Sequence, residues 1–123
     1  MIKVTNKEVL QAQGGFAVLS KTELPIKVAF QVAKESREIT TDATLVNVLT
    51  VKVIEECGGV VNPLDGSATI SPTNPAYKDA ISRIEELMAI EQTYEFELIK
   101  LPMDTLMIKP EVLLSLEPFI EMV

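Results

Sequence analysis

The chain has no histidine, no tryptophan and a single cysteine, Cys57. Without histidine, nucleophilic catalysis of the Ser/His or Cys/His kind loses its usual base. One cysteine and no histidine cannot build the common zinc ligand sets within one chain. A lone cysteine also excludes an intrachain disulfide and fits a reducing compartment. Cys57 follows Glu55 and Glu56 at the end of a helical stretch, where the helix dipole and both carboxylates oppose a thiolate. It reads as a small buried hydrophobe.

Other motifs are missing as well. Gly14-Gly15 has neither the Walker Gly-Lys-Ser/Thr ending nor the G-x-G-x-x-G spacing. Residues 62–70 lack the alternating acids and terminal glutamate of an EF-hand loop. The apolar run from Ala43 to Ile54 is interrupted by Asn47, Thr50 and Lys52, so it is too short and too polar to span a membrane. Residues 1–7 lack the apolar core of a signal peptide. The expected location is the cytoplasm of the cell that makes the protein.

Positive charge is also scarce. Eleven Lys and Arg face eighteen Asp and Glu, for a net charge of −7. That balance opposes non-specific nucleic-acid binding, which depends on neutralising phosphates. The nearest group of cations, Lys27, Lys34 and Arg37, could share part of one helical face but reads as solvated flank charge. A helix-turn-helix reader needs a basic recognition helix, and residues 75–92 are net acidic.

What remains is a globular composition: 123 residues, 47% hydrophobic and 24% charged, enough for one domain with its own core. The hydrophobic share is high for a small monomer, and such a surplus is often buried in an oligomer or partner interface. Ile2-Lys3-Val4 alternates like a strand, and Thr5 or Asn6 is placed to cap a helix carrying Val9, Leu10 and Ala12. Gly14-Gly15 is expected to break that helix or to mark a close approach of another backbone.

Pro25 suits the first turn of a long helix running to Cys57. Its apolar set (Ile26, Ala29, Phe30, Val32, Ala33, then Ile39, Ala43, Val46, Leu49, Val53) recurs at helical steps. Residues 44–54 are rich in β-branched side chains, which favour strands. Helix is preferred there because no turn signal interrupts the pattern, although the strand alternative stays open. Residues 58–75 read as a loop with a small hairpin around Asp65-Gly66. Asn74 and Pro75 are expected to cap and open a second helix reaching Gln92, with Tyr77, Ala80, Ile81, Ile84, Leu87 and Met88 as its apolar stripe. From Tyr94 the period becomes two, predicting a strand that ends near Leu101-Pro102 and pairs with residues 1–4 or with the segment near 68–70. A short helix from Glu111 to Leu116 should precede Phe119 and Ile120.

The expected fold class is therefore α+β, mainly α: a single domain over residues 1–123, with a long antiparallel helical hairpin over about 25–92. A small β element and a short C-terminal helix follow over about 94–121. Carboxylates cluster at Glu55-Glu56, at Glu85-Glu86 with Glu91, and at Glu95 with Glu97. Such groups could hold Mg²⁺ or Ca²⁺ or act as an acid/base pair, but they read better as solvated faces. No catalytic, metal or cofactor residue is assigned, and an enzyme is not expected. Tyr94, Phe96, Phe119 and Ile120 are the candidate packing or partner contacts, more often core than interface for residues of this type.

The run Thr22-Glu23-Leu24-Pro25-Ile26-Lys27-Val28-Ala29 and the ending Leu116-Glu117-Pro118-Phe119-Ile120 carry a resemblance. Together with the order of elements over residues 18–121, they resemble a set of small uncharacterised proteins of tailed bacteriophages and prophages. The resemblance implies a phage setting, expression in a bacterial cytoplasm and a helical hairpin with a small β element. It brings no catalytic residues. The β-branched stretch 44–54 departs from the charged middle the resemblance leads one to expect, which points to a helix buried on more than one face. Three readings follow. The first is a non-enzymatic accessory protein acting through protein contacts, as a virion or assembly component or an oligomeric factor. The second is an inhibitor of a host or defence protein whose acidic surface mimics nucleic acid. The third is a small nucleotide- or metal-binding protein.

Overall fold

A computed structural model describes residues 1–102 and 108–123. A first strand, β1 (Ile2–Thr5), runs directly into helix α1 (Asn6–Leu19). Thr5 closes a capping box: its side chain accepts from the Glu8 N–H, and Glu8 reaches back to the Thr5 N–H at 3.1 Å. Such reciprocal capping satisfies two of the helix's orphan donors. Gly14 and Gly15 do not break α1. Gly15 is instead a close-approach position, since a Cβ there would lie 2.5 Å from Leu116 Cγ and 2.5 Å from Ser115 Oγ. The missing side chain is what lets the C-terminal helix settle on α1.

Helix α2 (Ile26–Glu56) is 31 residues long, about 46 Å at the standard rise. The β-branched stretch 44–54 lies wholly within it. Several of its threonines return their hydroxyls to the preceding turn, Thr44 to the Thr40 carbonyl at 2.8 Å and Thr50 to Val46 at 2.9 Å. This back-bonding satisfies the hydroxyl inside a helix. The line of α2 that enters the core is Val32, Glu35, Ile39, Ala43 and Val46. Two expectations fail here. Ile26, Phe30 and Ala33 lie on the outside rather than in the apolar seam, and Leu45, Val48 and Leu49 are exposed, so the helix is not buried on more than one face.

After α2, Gly58 takes a positive φ of 89° and turns the chain into the hairpin β2 (Val60–Val61) and β3 (Ala68–Thr69), closed around Asp65-Gly66 as the turn residues predict. Helix α3 (Tyr77–Ala89) follows. Asn74 does not cap it. Its side chain accepts from the Ala76 N–H at 2.8 Å and its carbonyl accepts from the Tyr77 N–H at 3.0 Å, so a local turn consumes Asn74 and Pro75 and delays the helix to Tyr77. Helix α3 packs along the C-terminal half of α2, where Glu56 pairs with Arg83 at 2.7 Å and Ala80 is fully buried.

Helix α3 ends at Ala89 and does not reach Gln92, because Glu91 and Gln92 belong to a strand, β4 (Glu91–Tyr94). Of the single strand expected from Tyr94 to near Leu101, only its two ends are extended, Tyr94 in β4 and β5 (Ile99–Leu101). Residues 95–98 between them are irregular. The Gln31 side chain donates to the Glu97 carbonyl at 3.1 Å, so this stretch is satisfied by α2 instead of by a strand partner. β4 pairs antiparallel with β1, as expected for residues 1–4. A short helix α4 (Pro110–Ser115) and a 3₁₀ turn (Glu117–Phe119) lead to β6 (Ile120–Met122), which runs parallel to β5. The main core is enclosed by α1, the first half of α2, the strand pairs β1–β4 and β5–β6, and α4. It contains Phe16, Leu19, Ile39, Ile99, Leu101, Leu116 and Phe119, all essentially inaccessible. Each such side chain contributes about 1.5–3 kcal/mol relative to exposure.

Candidate functional site

The four residues singled out by sequence converge. Tyr94 and Phe96 stack with ring centroids 4.8 Å apart and planes 15° from parallel. Phe119 meets Tyr94 edge-on at 6.2 Å and Phe16 at 5.5 Å. Phe119 and Tyr94 are buried, Phe96 and Ile120 are half-buried, and Ile120 pairs with Ile99 in the parallel ladder. The Tyr94 hydroxyl donates to Asp42 on α2. Burial, and then the Asp42 carboxylate, push the Tyr94 phenol above its ordinary range. Tyr94, Phe119 and Ile120 form a wall of the core, and Phe96, within the irregular segment 95–98, stacks against it.

On the outer side of that wall lies a cleft of about 360 Å³, lined by Gln31, Lys34, Glu35, Glu38, Glu95, Phe96 and Glu97. Its size falls at the lower end of the range for small-molecule sites. Glu95 and Glu97, paired in the sequence reading, do share this site. They meet two carboxylates from α2, Glu35 and Glu38, that the sequence reading did not single out. Lys34 is the one cation in the lining. It neighbours acids and builds no phosphate site with Lys27 and Arg37, since Arg37 sits beside Glu38, Thr41 and Asp42.

Glu35 is the unusual member. Only 4% of its surface is exposed, and neither carboxyl oxygen has a hydrogen-bond partner. The nearby Gln31 amide is engaged by the Glu97 carbonyl. Burial pushes the Glu35 carboxyl up to about 7; the nearby Gln31 amide opposes that rise, the Glu38 and Glu97 charges add to it, and Lys34 opposes it least. A glutamate on the buried line of α2, between Val32 and Ile39, was the available sign, because a charge that interrupts an apolar stripe needs a reason.

The other acidic groups do not converge. Glu56 is held below the usual carboxylate range by the Arg83 guanidinium, and Glu91 pairs with Lys3 at 2.8 Å across β1 and β4. Among the described residues, no group of three His, Cys, Asp or Glu side chains is arranged to hold a metal ion. Cys57 is buried, its sulfur 3.9 Å from Asp79 and from Arg83. Among the described residues, no helix is long and apolar enough to cross a membrane.

A second feature is the outer face of α2. Ile26, Phe30, Leu45 and Val48 are 84%, 71%, 58% and 57% exposed. Ile26, Phe30, Ala33, Arg37, Thr41, Thr44 and Val48 follow one another at steps of three and four, the spacing of a helix–helix seam. Comparison with family models, with curated proteins and with solved structures finds no match to this chain.

Proposed function

We propose that this protein is a non-enzymatic phage accessory factor that acts through protein contacts and associates with a second copy of itself. The observation that carries the reading is the solvent-facing stripe of α2. A monomer seldom leaves large apolar side chains in register along one helix face without covering them. On that line Ile26 and Phe30 stand near one end and Val48 near the other, with Arg37, Thr41 and Thr44 between them; the occupant proposed is α2 of another protomer, which would bury both apolar ends. The phage setting comes from the resemblance over residues 18–121, and the role in virion or assembly is the reading that joins the two.

Sedimentation of the full chain over a range of concentrations tests the association. The wild type is expected to form dimers or larger assemblies, and Phe30→Glu combined with Val48→Glu is expected to be monomeric with an unchanged circular-dichroism spectrum. A wild-type protein that stays monomeric at every concentration would overturn the reading. Presence of the protein in purified particles separates a virion component from a factor that acts only in the infected cell.

A further inference from the structure

We propose that the cleft between α2 and residues 95–97 is a binding site for an organic cation, specifically a guanidinium group, received by the buried carboxylate of Glu35 with Glu38, Glu95 and Glu97 around it.

Three observations converge on this ligand. The first is the unpartnered Glu35 carboxyl, nearly inaccessible yet part of the cleft lining. A buried carboxylate without donors is costly, and a ligand that brings N–H groups removes that cost. The second is the charge of the lining. Three further glutamates and one lysine leave the cleft acidic whichever state Glu35 adopts, so it attracts cations and repels phosphates and carboxylates. The third is Phe96, held by stacking on Tyr94 and contributing to the lining. An aromatic ring beside carboxylates is the setting in which a guanidinium both stacks and forks two hydrogen bonds onto one carboxylate.

A divalent metal fits less well. Mg²⁺ and Ca²⁺ require six or more oxygens, usually with several carboxylates at short range, and no three acidic side chains among the described residues reach that arrangement. A planar guanidinium has five donors spread over a larger area and can engage carboxylates that stand further apart. The site is independent of the exposed seam of α2, because Glu35 lies on the buried line of that helix.

Titration calorimetry on the full chain at neutral pH tests the proposal. The probes are agmatine, a free guanidinium compound, and N-acetyl-arginine amide, which mimics an arginine within a polypeptide. Saturable binding of either is expected, with protons released to the buffer as Glu35 ionises. Binding of both identifies the head group as what is read, whereas binding of the amide alone places the ligand on a polypeptide. Glu35→Gln, which keeps the shape and removes the charge, is expected to weaken binding about tenfold or more. Glu38→Gln, at an exposed position with no structural burden, is expected to weaken it by a smaller factor. The proposal is overturned if neither probe binds, if both variants bind like wild type, or if Mg²⁺ or Ca²⁺ binds the cleft more tightly than the guanidinium probes.

Discussion

Asn6 and Leu87 are joined by a hydrogen bond of 2.8 Å from the Asn6 side-chain amide to the Leu87 carbonyl. Asn6 is 4% exposed, its own N–H donates to the Ile90 carbonyl at 2.9 Å, and its side-chain oxygen accepts from Gln92. One residue at the start of α1 therefore satisfies the last turn of α3 and the first residues of β4. Carbonyls at a helix end are orphaned unless something outside the helix supplies a donor.

Asn6→Leu should accordingly be destabilising beyond its loss of one contact. It removes one of the two donors to the half-buried Leu87 carbonyl, which keeps only the Ile90 N–H at 3.3 Å, and takes from the half-buried Gln92 amide its Asn6 acceptor, a cost of about 1 kcal/mol or more. Urea unfolding should show a lower midpoint with an unchanged slope. A midpoint equal to wild type would mean that the clasp contributes nothing to stability.

The adjacent glycines of α1 should respond in opposite directions to the same substitution. Gly15→Ala drives a methyl into Leu116 and Ser115, and overpacking of this kind costs about 1–3 kcal/mol. Gly14→Ala meets nothing within 4 Å and should gain about 0.5–1 kcal/mol from helix propensity alone. Thermal unfolding of the two variants side by side reads the difference.

Glu35 makes stability depend on pH in a definite direction. Its carboxyl is raised from 4.5 to about 7 in the folded chain, so the folded state holds a proton that the unfolded state has already released. The stabilisation is complete below pH 4.5 and is lost as pH rises through about 7. The full shift corresponds to roughly 3 kcal/mol as an upper figure. In Glu35→Gln this decline between pH 5 and 8 should flatten, and the variant should be more stable than wild type at pH 8. Denaturant titrations at several pH values provide the check, and an equally steep decline in the variant would assign it to another group.

Phe119→Ala removes the ring that touches Phe16, Tyr94 and Phe96. A fully buried Phe truncated in this way costs about 3–5 kcal/mol. Because Phe96 loses its support, the cleft should loosen as well. Near-ultraviolet circular dichroism, sensitive to the packing of Tyr94, should fall before the far-ultraviolet signal changes.

Much of this architecture could be read in the residues. The Thr5 cap, the long helix through 44–54, the Asp65-Gly66 hairpin and the pairing of residues 1–4 with the strand near Tyr94 all follow from local patterns that the fold leaves intact. Where local signals left a choice or misled, packing between distant residues decided. Of the two readings of Gly14-Gly15 the break fails and the close approach holds, because the space beside Gly15 is taken by Leu116, about a hundred residues away in the chain. The strand expected through Phe96 and Leu98 gives way where α2 supplies the Glu97 carbonyl with a donor. The apolar residues of α2 could be listed from sequence, yet Ile26 and Phe30 obey the same period as Val32 and Ile39, and only packing decides which line faces inward. Glu35 was overlooked because a single glutamate in a charged helix looks ordinary until its burial is known.

The pairing of Ile2 with Tyr94 has a kinetic implication. The strand that launches the first helix finds its neighbour only after three helices and a hairpin have been laid down between them. Loop closure over such a span is entropically costly, and chains rich in distant contacts fold slowly for their size. A protein that is helical by content should thus assemble at the pace of a β-rich one, with the joining of its opening strand as the step that commits the chain.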